Sequence, residues 1–252
     1  MAITSIFIDS ELPVIPGMKT LNDFIITNWF KDMPDVDATP FAGYYFGTPA
    51  FDITMNSFNN TLPAIVHGSL NNADGTIHVS IDNYLDTIEL APVGITVAGA
   101  FIRPSNPTGN AFIIGDYMGK AGASDAKGFA IGINSTGQLR VAAKNLDSTN
   151  SASANIAFPS SVPVGALCAF TAYIRQGTIT IAVYDPTTSN YVSNAAVLGG
   201  TRSAGTNSVL FGRKHDANSV DMVTPLKSVV LMEGAMTESQ HVAVMQYLLS
   251  ME

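Results

Sequence analysis

Two runs of alternating residues flank Gln176-Gly177, and they constrain the fold more than any other feature of the chain. Apolar residues occupy every second position on both sides of this dipeptide: Phe170, Ala172, Ile174, Ile179, Ile181 and Val183. A period of two places successive side chains on opposite faces of a strand, and a two-residue turn with glycine favours a tight hairpin. The segment is therefore predicted to be an antiparallel β-hairpin with one buried face.

The same pattern recurs along most of the chain. Residues 129–133 and 139–143 are predicted to pair across the turn at 134–137, and residues 93–103 are apolar on both faces, which is typical of a central strand. Further strands are predicted at 77–81, 209–213 and 226–232. Short strands separated by turn residues indicate an all-β, antiparallel two-sheet sandwich.

Composition supports this fold class. Only 13% of the residues are charged, about half the usual fraction, so the surface consists mainly of Ser, Thr, Asn and Gly, which favour strands and turns over exposed helices. One short C-terminal helix is still predicted, because Thr237 and Gln240 form a capping-box pattern before an apolar face. The net charge of −8 argues against nucleic acid as a partner. The longest apolar run, 92–102, is too short for membrane insertion.

The first 72 residues have a different sequence pattern. Prolines interrupt short apolar pieces, except at 21–31, where the spacing predicts a helix. We expect residues 1–72 to be an irregular attachment or oligomerisation segment and residues 73–252 to form the sandwich. The candidate assembly contacts are aromatic: Phe24, Trp29, Phe41, Tyr44, Tyr45 and Phe46. Packing inside the core is the alternative interpretation of the cluster at 41–46.

From residue 75 to the end, the order of features resembles the concanavalin A-like, laminin-G-like jelly-roll family. The matching pieces are 83–90 followed by 95–104, 113–116 followed by 129–139, 162–165 followed by 170–175 and 177–185, and 209–213 followed by 227–241. Leu167-Cys168 stands near the place where the family usually has tryptophan. The resemblance implies a jelly-roll sandwich of the kind used to bind carbohydrate or protein, often in phage structural and adhesion proteins.

Catalytic motifs are weak. No glutamate has another carboxylate two residues away within a strand pattern, which removes the main support for a glycosidase. A polysaccharide-degrading enzyme would have to rely on Asp86 or Glu89. No pair of histidines has zinc-ligand spacing, and the apolar surroundings of Cys168 predict a buried, unreactive thiol. We therefore expect a protein that is not an enzyme and carries no organic cofactor.

Calcium is the one cation that the sequence could accommodate. Asp216, Asn218 and Asp221 supply oxygen ligands at close spacing, which suits a hard cation. An ordinary hydrophilic loop has the same composition, so both interpretations stay open.

Five further residues are candidate contacts for a glycan or a protein partner. Sugars stack on aromatic rings and form hydrogen bonds with polar groups on loops and strand ends. The candidates of this kind are Tyr117, Tyr184, Tyr191, Arg103 and Arg140. Scattered surface residues without a ligand are the alternative.

The leading functional interpretation is a non-enzymatic bacteriophage virion protein, either a capsid decoration or a tail or fibre component. It rests on the family resemblance, a polar surface with almost no cysteine, and an amino terminus without the pattern of an export signal. Its expected partners are other virion proteins, further copies of itself and cell-surface glycan. We expect it to be made in the host cytoplasm and displayed on the particle. A carbohydrate-binding lectin module is the alternative, and a polysaccharide-degrading enzyme is the third.

Overall fold

The computed structural model describes residues 29–119, 125–216 and 219–251, which form a sandwich of two antiparallel sheets with one helix packed outside it. The elements in chain order are β1 (Thr39–Tyr45), β2 (Ile65–His67), β3 (Ile77–Val79), β4 (Tyr84–Leu90), β5 (Ile95–Ile102), β6 (Ala111–Gly115), β7 (Gly128–Ile133), β8 (Leu139–Lys144), β9 (Ala152–Ile156), β10 (Leu167–Arg175), β11 (Gly177–Asp185), β12 (Asn190–Leu198), β13 (Ser208–Phe211), β14 (Thr224–Glu233) and α1 (Glu238–Ser250).

Each sheet has seven strands. Sheet A has the order β1-β14-β5-β10-β11-β12, with β3 also paired to β14, and sheet B has the order β2-β4-β13-β6-β7-β8-β9. The predicted hairpins are confirmed: β10 pairs with β11 around Gln176, and β7 pairs with β8 with Ile131 opposite Val141. The predicted central strand is β5, which lies between β14 and β10. The all-β sandwich predicted from the alternation is therefore confirmed.

The core fills the space between the sheets. Phe101 and Phe170 of sheet A are fully buried with ring centroids 5.7 Å apart, and Phe129 and Phe211 of sheet B are equally buried. Such side chains alternate with outward residues along each strand, as expected for facing sheets. Cys168 lies in the same core, and burial raises the pKa of its thiol. Its predicted role as a buried small hydrophobe is confirmed.

The sandwich begins before residue 73, the boundary expected from the sequence. Strand β1 pairs with β14 in sheet A, and β2 pairs with β4 in sheet B. The pairing of β1 joins distant residues, such as Pro40 and Met232, which are 192 positions apart, so local patterns could not reveal it. The helix predicted at 21–31 lies largely outside the described residues, and 29–31 belong to a turn.

Helix α1 covers part of the outer face of sheet A, the face that points away from sheet B. Its buried residues Val244, Met245 and Leu248 pack near Ala98 and Ala100 of β5, whose small side chains permit a close approach. The predicted capping box is present: the Gln240 amide donates to Thr237 Oγ1, and the Thr237 amide donates to Gln240 Oε1 at 2.8 Å. No helix among the described residues is both long and apolar enough to cross a membrane.

Replacing Thr237 with alanine is expected to lower the free energy of unfolding by about 1 kcal/mol, because the first turn of α1 loses its side-chain cap. Urea denaturation followed by circular dichroism measures this change. The matched control is Thr149→Ala, at an exposed position outside the helix, which is expected to have almost no effect. Equal stabilities for Thr237→Ala and Thr149→Ala would contradict the capping role.

Candidate functional site

A shallow cleft lies on the outer face of sheet B, where β6, β7 and β8 are adjacent. Ala130 of β7 and Ala142 of β8 are neighbours that line it, while Phe129 and Val141 point into the core. The alternation that fills the core with large residues therefore leaves small ones outside, and the sheet surface is depressed there. The cleft, called the sheet B cleft below, has a volume of about 100 Å³.

One wall of the sheet B cleft is aromatic. Phe112 and Tyr117 contribute the rings, and the ammonium nitrogen of Lys214 lies 4.9 Å and 5.1 Å from their respective centroids. Lys214 also forms an ion pair with Asp216 at 2.6 Å, and both side chains are largely buried. A cation held by a carboxylate against two rings fixes the position of both rings.

Arg140 also lines the sheet B cleft and points outward from β8. Its Nη1 donates to Asn110 Oδ1 at 3.0 Å, whereas its buried Nε has no hydrogen-bond acceptor among the described residues. Burial lowers the pKa of Arg140, but a guanidinium remains charged at neutral pH. The cleft therefore presents the guanidinium of Arg140, which Asn110 holds in place. Only some of its N–H donors have acceptors within the described residues.

A buried carboxylate supports the aromatic wall from behind. Asp116 precedes Tyr117, and its Oδ1 accepts a hydrogen bond from the Phe129 amide at 2.7 Å. Burial raises the pKa of Asp116 to about 6, although this amide and the charge of Arg202 oppose the shift. A cavity of about 20 Å³ next to Asp116, the size of one water molecule, is lined by Arg202 and Lys144. Asp116 thus ties the end of β6 to β7 below the cleft.

The chemistry of the sheet B cleft suits a polar ligand with an apolar face. Its described lining combines two aromatic rings, a guanidinium, an ammonium, an amide and two hydroxyls, and it contains no carboxylate: Asn110, Phe112, Tyr117, Ala130, Arg140, Ala142, Ser151 and Lys214. Aromatic rings accept the C–H face of a sugar, and the polar groups bind its hydroxyls. Acid–base cleavage of a glycosidic bond requires two carboxyl groups, which this lining lacks.

The structure brings together two of the five predicted contact residues, Tyr117 and Arg140, of which Tyr117 is 7% exposed and packs against Ala130. Tyr184 lies under α1, only 6% exposed, with its hydroxyl accepting from Gln246 at 2.9 Å. Tyr191 lies on the opposite side of the sandwich, on the outer face of sheet A. Arg103 donates to the Val162 carbonyl at 2.6 Å and is engaged elsewhere. The five residues therefore do not form one site.

The aromatic residues predicted as assembly contacts are mostly part of the folded core. Tyr44 and Phe46 are fully buried, so they cannot contact another chain, and core packing is the correct interpretation for both. Tyr45 is 6% exposed and stacks on Trp29, with ring centroids 5.8 Å apart. Phe41 is partly buried against the core. Phe24 lies outside the described residues.

The predicted calcium ligands have other partners in the part of the chain that is described. Asp216 is held by Lys214, and Asp221 Oδ1 accepts a hydrogen bond from the Ile81 amide at 3.3 Å. Asn218 lies outside the described residues. A calcium ion at Asp216 would have to compete with the ammonium group of Lys214, and the calcium site remains a prediction.

Sequence reasoning missed Phe112, Asn110 and Lys214 as parts of the cleft. Phe112 could have been found, because it occupies an outward, partly exposed position within the apolar strand 111–115. Lys214 could not, since its place depends on how the loop after β13 returns over β6. No local pattern reports that contact.

No family model matches the chain, and no curated protein matches it. Solved structures do match its fold. Domain 4 of AbnA, an extracellular arabinanase from Geobacillus stearothermophilus, in complex with arabinotriose, is 15% identical with a TM-score of 0.54, over 83% of this chain and 99% of that one. A structure of botulinum neurotoxin type C, whose cell entry depends on interaction with two ganglioside molecules, is 13% identical with a TM-score of 0.58, over 83% of this chain and 51% of that one.

A mutant of Trypanosoma rangeli sialidase that displays trans-sialidase activity is 11% identical with a TM-score of 0.56, over 82% of this chain. This chain spans about a third of that sialidase, 32% of its length, and about half of the neurotoxin structure. At such identities the likeness concerns the fold alone. It supports the two-sheet β-sandwich expected from the sequence.

Proposed function

We propose that this chain is a non-catalytic glycan-binding module that holds sugar in the sheet B cleft. The observation that carries the proposal is the convergence of Tyr117 and Arg140 on a depression lined by alanines. The partly exposed Phe112 at the edge of the aromatic wall and the guanidinium of Arg140 thereby line one small depression, where part of a sugar can be held.

The cleft is already arranged for binding. Lys214 and Asp216 hold the aromatic wall, and Asn110 holds Arg140 through its Nη1. Because these side chains are fixed before a ligand arrives, little conformational entropy is lost on binding. The Nη groups of Arg140, whose bond to Asn110 is exposed, can donate to sugar hydroxyls or to a sugar carboxylate.

The structural neighbours support this proposal without deciding it. One is a domain solved with arabinotriose bound, and another belongs to a toxin whose cell entry involves gangliosides. Both share the two-sheet architecture with this chain. Similar folds serve many functions, so the proposal depends on the residues of the cleft.

The absence of catalysis is part of the proposal. Asp86 and Glu89 of β4 are separated from the cleft strands by β13. Asp86 Oδ1 accepts from the Ile88 amide, and Glu89 Oε1 accepts from Asn56 Nδ2. These carboxylates therefore serve the backbone and a neighbouring side chain at the far side of the sheet. A reducing-end assay on polysaccharides is expected to show no product.

The setting inferred from the sequence is a bacteriophage particle, on which such a module would contact virion proteins, further copies of itself or a host-surface glycan. Mass spectrometry of washed particles tests this setting. Detection of the chain in stoichiometric amounts would support it, and its absence from particles would contradict it without affecting the glycan proposal.

A glycan array followed by calorimetry on the best ligand tests the function directly. Tyr117→Ala and Arg140→Ala are each expected to raise Kd by about 10- to 100-fold, because the packing that holds the aromatic wall or a charged hydrogen-bond donor is lost. Thr149→Ala, exposed on a loop after β8, is the control and is expected to bind like wild type. No binding to any glycan, or equal Kd values for all four proteins, would overturn the proposal.

Repeating the titration with EDTA tests the predicted calcium site. Because Lys214 already neutralises Asp216, we expect Kd to change by less than about twofold. A loss of binding that added calcium restores would instead assign a cation to the loop at 216–221.

A further inference from the structure

A second groove lies on the outer face of sheet A, the opposite side of the sandwich from the sheet B cleft. It is bounded by β10, β11 and β12 on one side and by the beginning of α1 on the other. Its volume is about 440 Å³, within the range of sites for small ligands. It is called the helix groove below.

The floor of the helix groove is built from small and hydroxyl-bearing residues. Thr180 and Ser193 point outward from neighbouring strands, whose alternate residues fill the core, while Thr171 on the third strand is buried against His241. Helix α1 packs over β5 and β10 and reaches one end of β11 at Tyr184, whereas Thr180 of β11 and Ser193 of β12 keep part of their surface open to solvent. The result is a depression whose base offers the hydroxyl groups of Thr180 and Ser193 for hydrogen bonds.

Aromatic groups form two sides of the helix groove. The guanidinium of Arg175 lies 5.5 Å from the ring centroid of Tyr173, and the rings of Tyr191 and His241 lie 6.2 Å apart. His241 is fixed by a 2.9 Å hydrogen bond between its Nδ1 and Thr171 Oγ1. Tyr173 and Tyr191 thus provide two ring faces on either side of a hydroxyl-lined floor.

The charges of the helix groove balance. Arg175 and Glu238 contribute opposite charges to its lining, and burial lowers the pKa of His241, which keeps its imidazole neutral at pH 7. The sheet B cleft differs, because Arg140 gives its lining an additional positive charge beyond the Lys214 and Asp216 pair. The helix groove therefore has no electrostatic preference for an anion.

We propose that the helix groove is a second, separate glycan-binding site, which takes a neutral oligosaccharide. Two aromatic faces, a hydroxyl-lined floor and balanced charges complement a ligand with apolar ring faces, many hydroxyls and no charge. The site shares no lining residue with the sheet B cleft. It extends the proposed function and does not depend on it, and together the two sites would let one chain bridge two glycans.

The test uses the full chain with the sheet B cleft disabled by Tyr117→Ala and Arg140→Ala. Maltotriose, cellotriose, xylotriose and arabinotriose are the neutral probes, and calorimetry measures Kd for each. We expect at least one probe to bind this double variant. Adding Tyr191→Ala or Arg175→Ala is then expected to raise that Kd at least tenfold.

Val197→Ser is the matched control, because Val197 is 83% exposed on the same strand as Tyr191 and lies outside the groove. Adding Val197→Ser to the double variant is expected to leave its Kd for the probe unchanged. Melting temperatures confirm that each protein is folded. Arg175 is exposed, so its replacement tests the groove even if Tyr191→Ala unfolds. Failure of every probe to bind the double variant, or a Kd unaffected by Arg175→Ala, overturns the second site. Failure of the sheet B cleft would appear separately, as equal binding by wild type and the double variant.

Discussion

Replacing Lys214 with alanine is expected to lower the free energy of unfolding by about 3–5 kcal/mol. The ammonium group lies 2.6 Å from Asp216, and both side chains are largely buried, so the substitution leaves a carboxylate without its cation in a poorly solvated place. The variant also loses the contacts of the ammonium with Phe112 and Tyr117. Urea denaturation followed by circular dichroism measures the change.

A rescue variant separates the electrostatic cause from lost packing. Lys214→Met combined with Asp216→Asn removes both charges and keeps most of the volume, and it is expected to recover more than half of the lost stability. Lys31→Ala, at an exposed position, is the control and should stay within about 0.5 kcal/mol of wild type. A loss below about 1 kcal/mol for Lys214→Ala would contradict the role of this ion pair in holding the cleft.

Asp116 is expected to make the protein less stable as pH rises from 4 to 7. Its folded-state pKa of about 6 lies above its ordinary value of 3.8 because of burial. Folding therefore favours the protonated carboxyl, and that stabilisation is present at low pH and lost as pH rises through about 6. A shift of this size corresponds to about 3 kcal/mol.

The comparison of wild type with Asp116→Asn isolates this effect from other titrating groups. Asparagine keeps an oxygen for the Phe129 amide but never ionises, so the stability of the variant relative to wild type should increase by about 2–3 kcal/mol between pH 4 and pH 7. Urea denaturation at both pH values gives the two differences. A difference that does not change with pH, or that decreases, would contradict the assignment.

Local patterns predicted much of the sandwich. The hairpins β7–β8 and β10–β11 were predictable because strong alternation and a turn occur within a few residues of each other. Strand β12 was missed because it is an edge strand with small, exposed residues and little alternation in hydrophobicity. Strand β1 was missed because its partner, β14, lies at the other end of the chain.

The site was harder to predict than the fold. Tyr117 and Arg140 could be chosen as polar and aromatic residues near strand ends, but their convergence depends on the order of β6, β7 and β8 in sheet B. Tyr184 met the same criteria and is covered by α1. The packing of a distant helix decides which outward-facing residues are covered. The alternation that identifies a strand contains no information about that packing.

Nuclear magnetic resonance titration of the wild-type chain with the best glycan from the array tests the central claim most directly. Backbone amide signals of Tyr117, Ala130 and Ala142, which line the sheet B cleft, are predicted to shift saturably, with one Kd that Arg140→Ala increases about 10- to 100-fold. A glycan that binds while these three signals stay unchanged would contradict the assignment of the cleft as the glycan site.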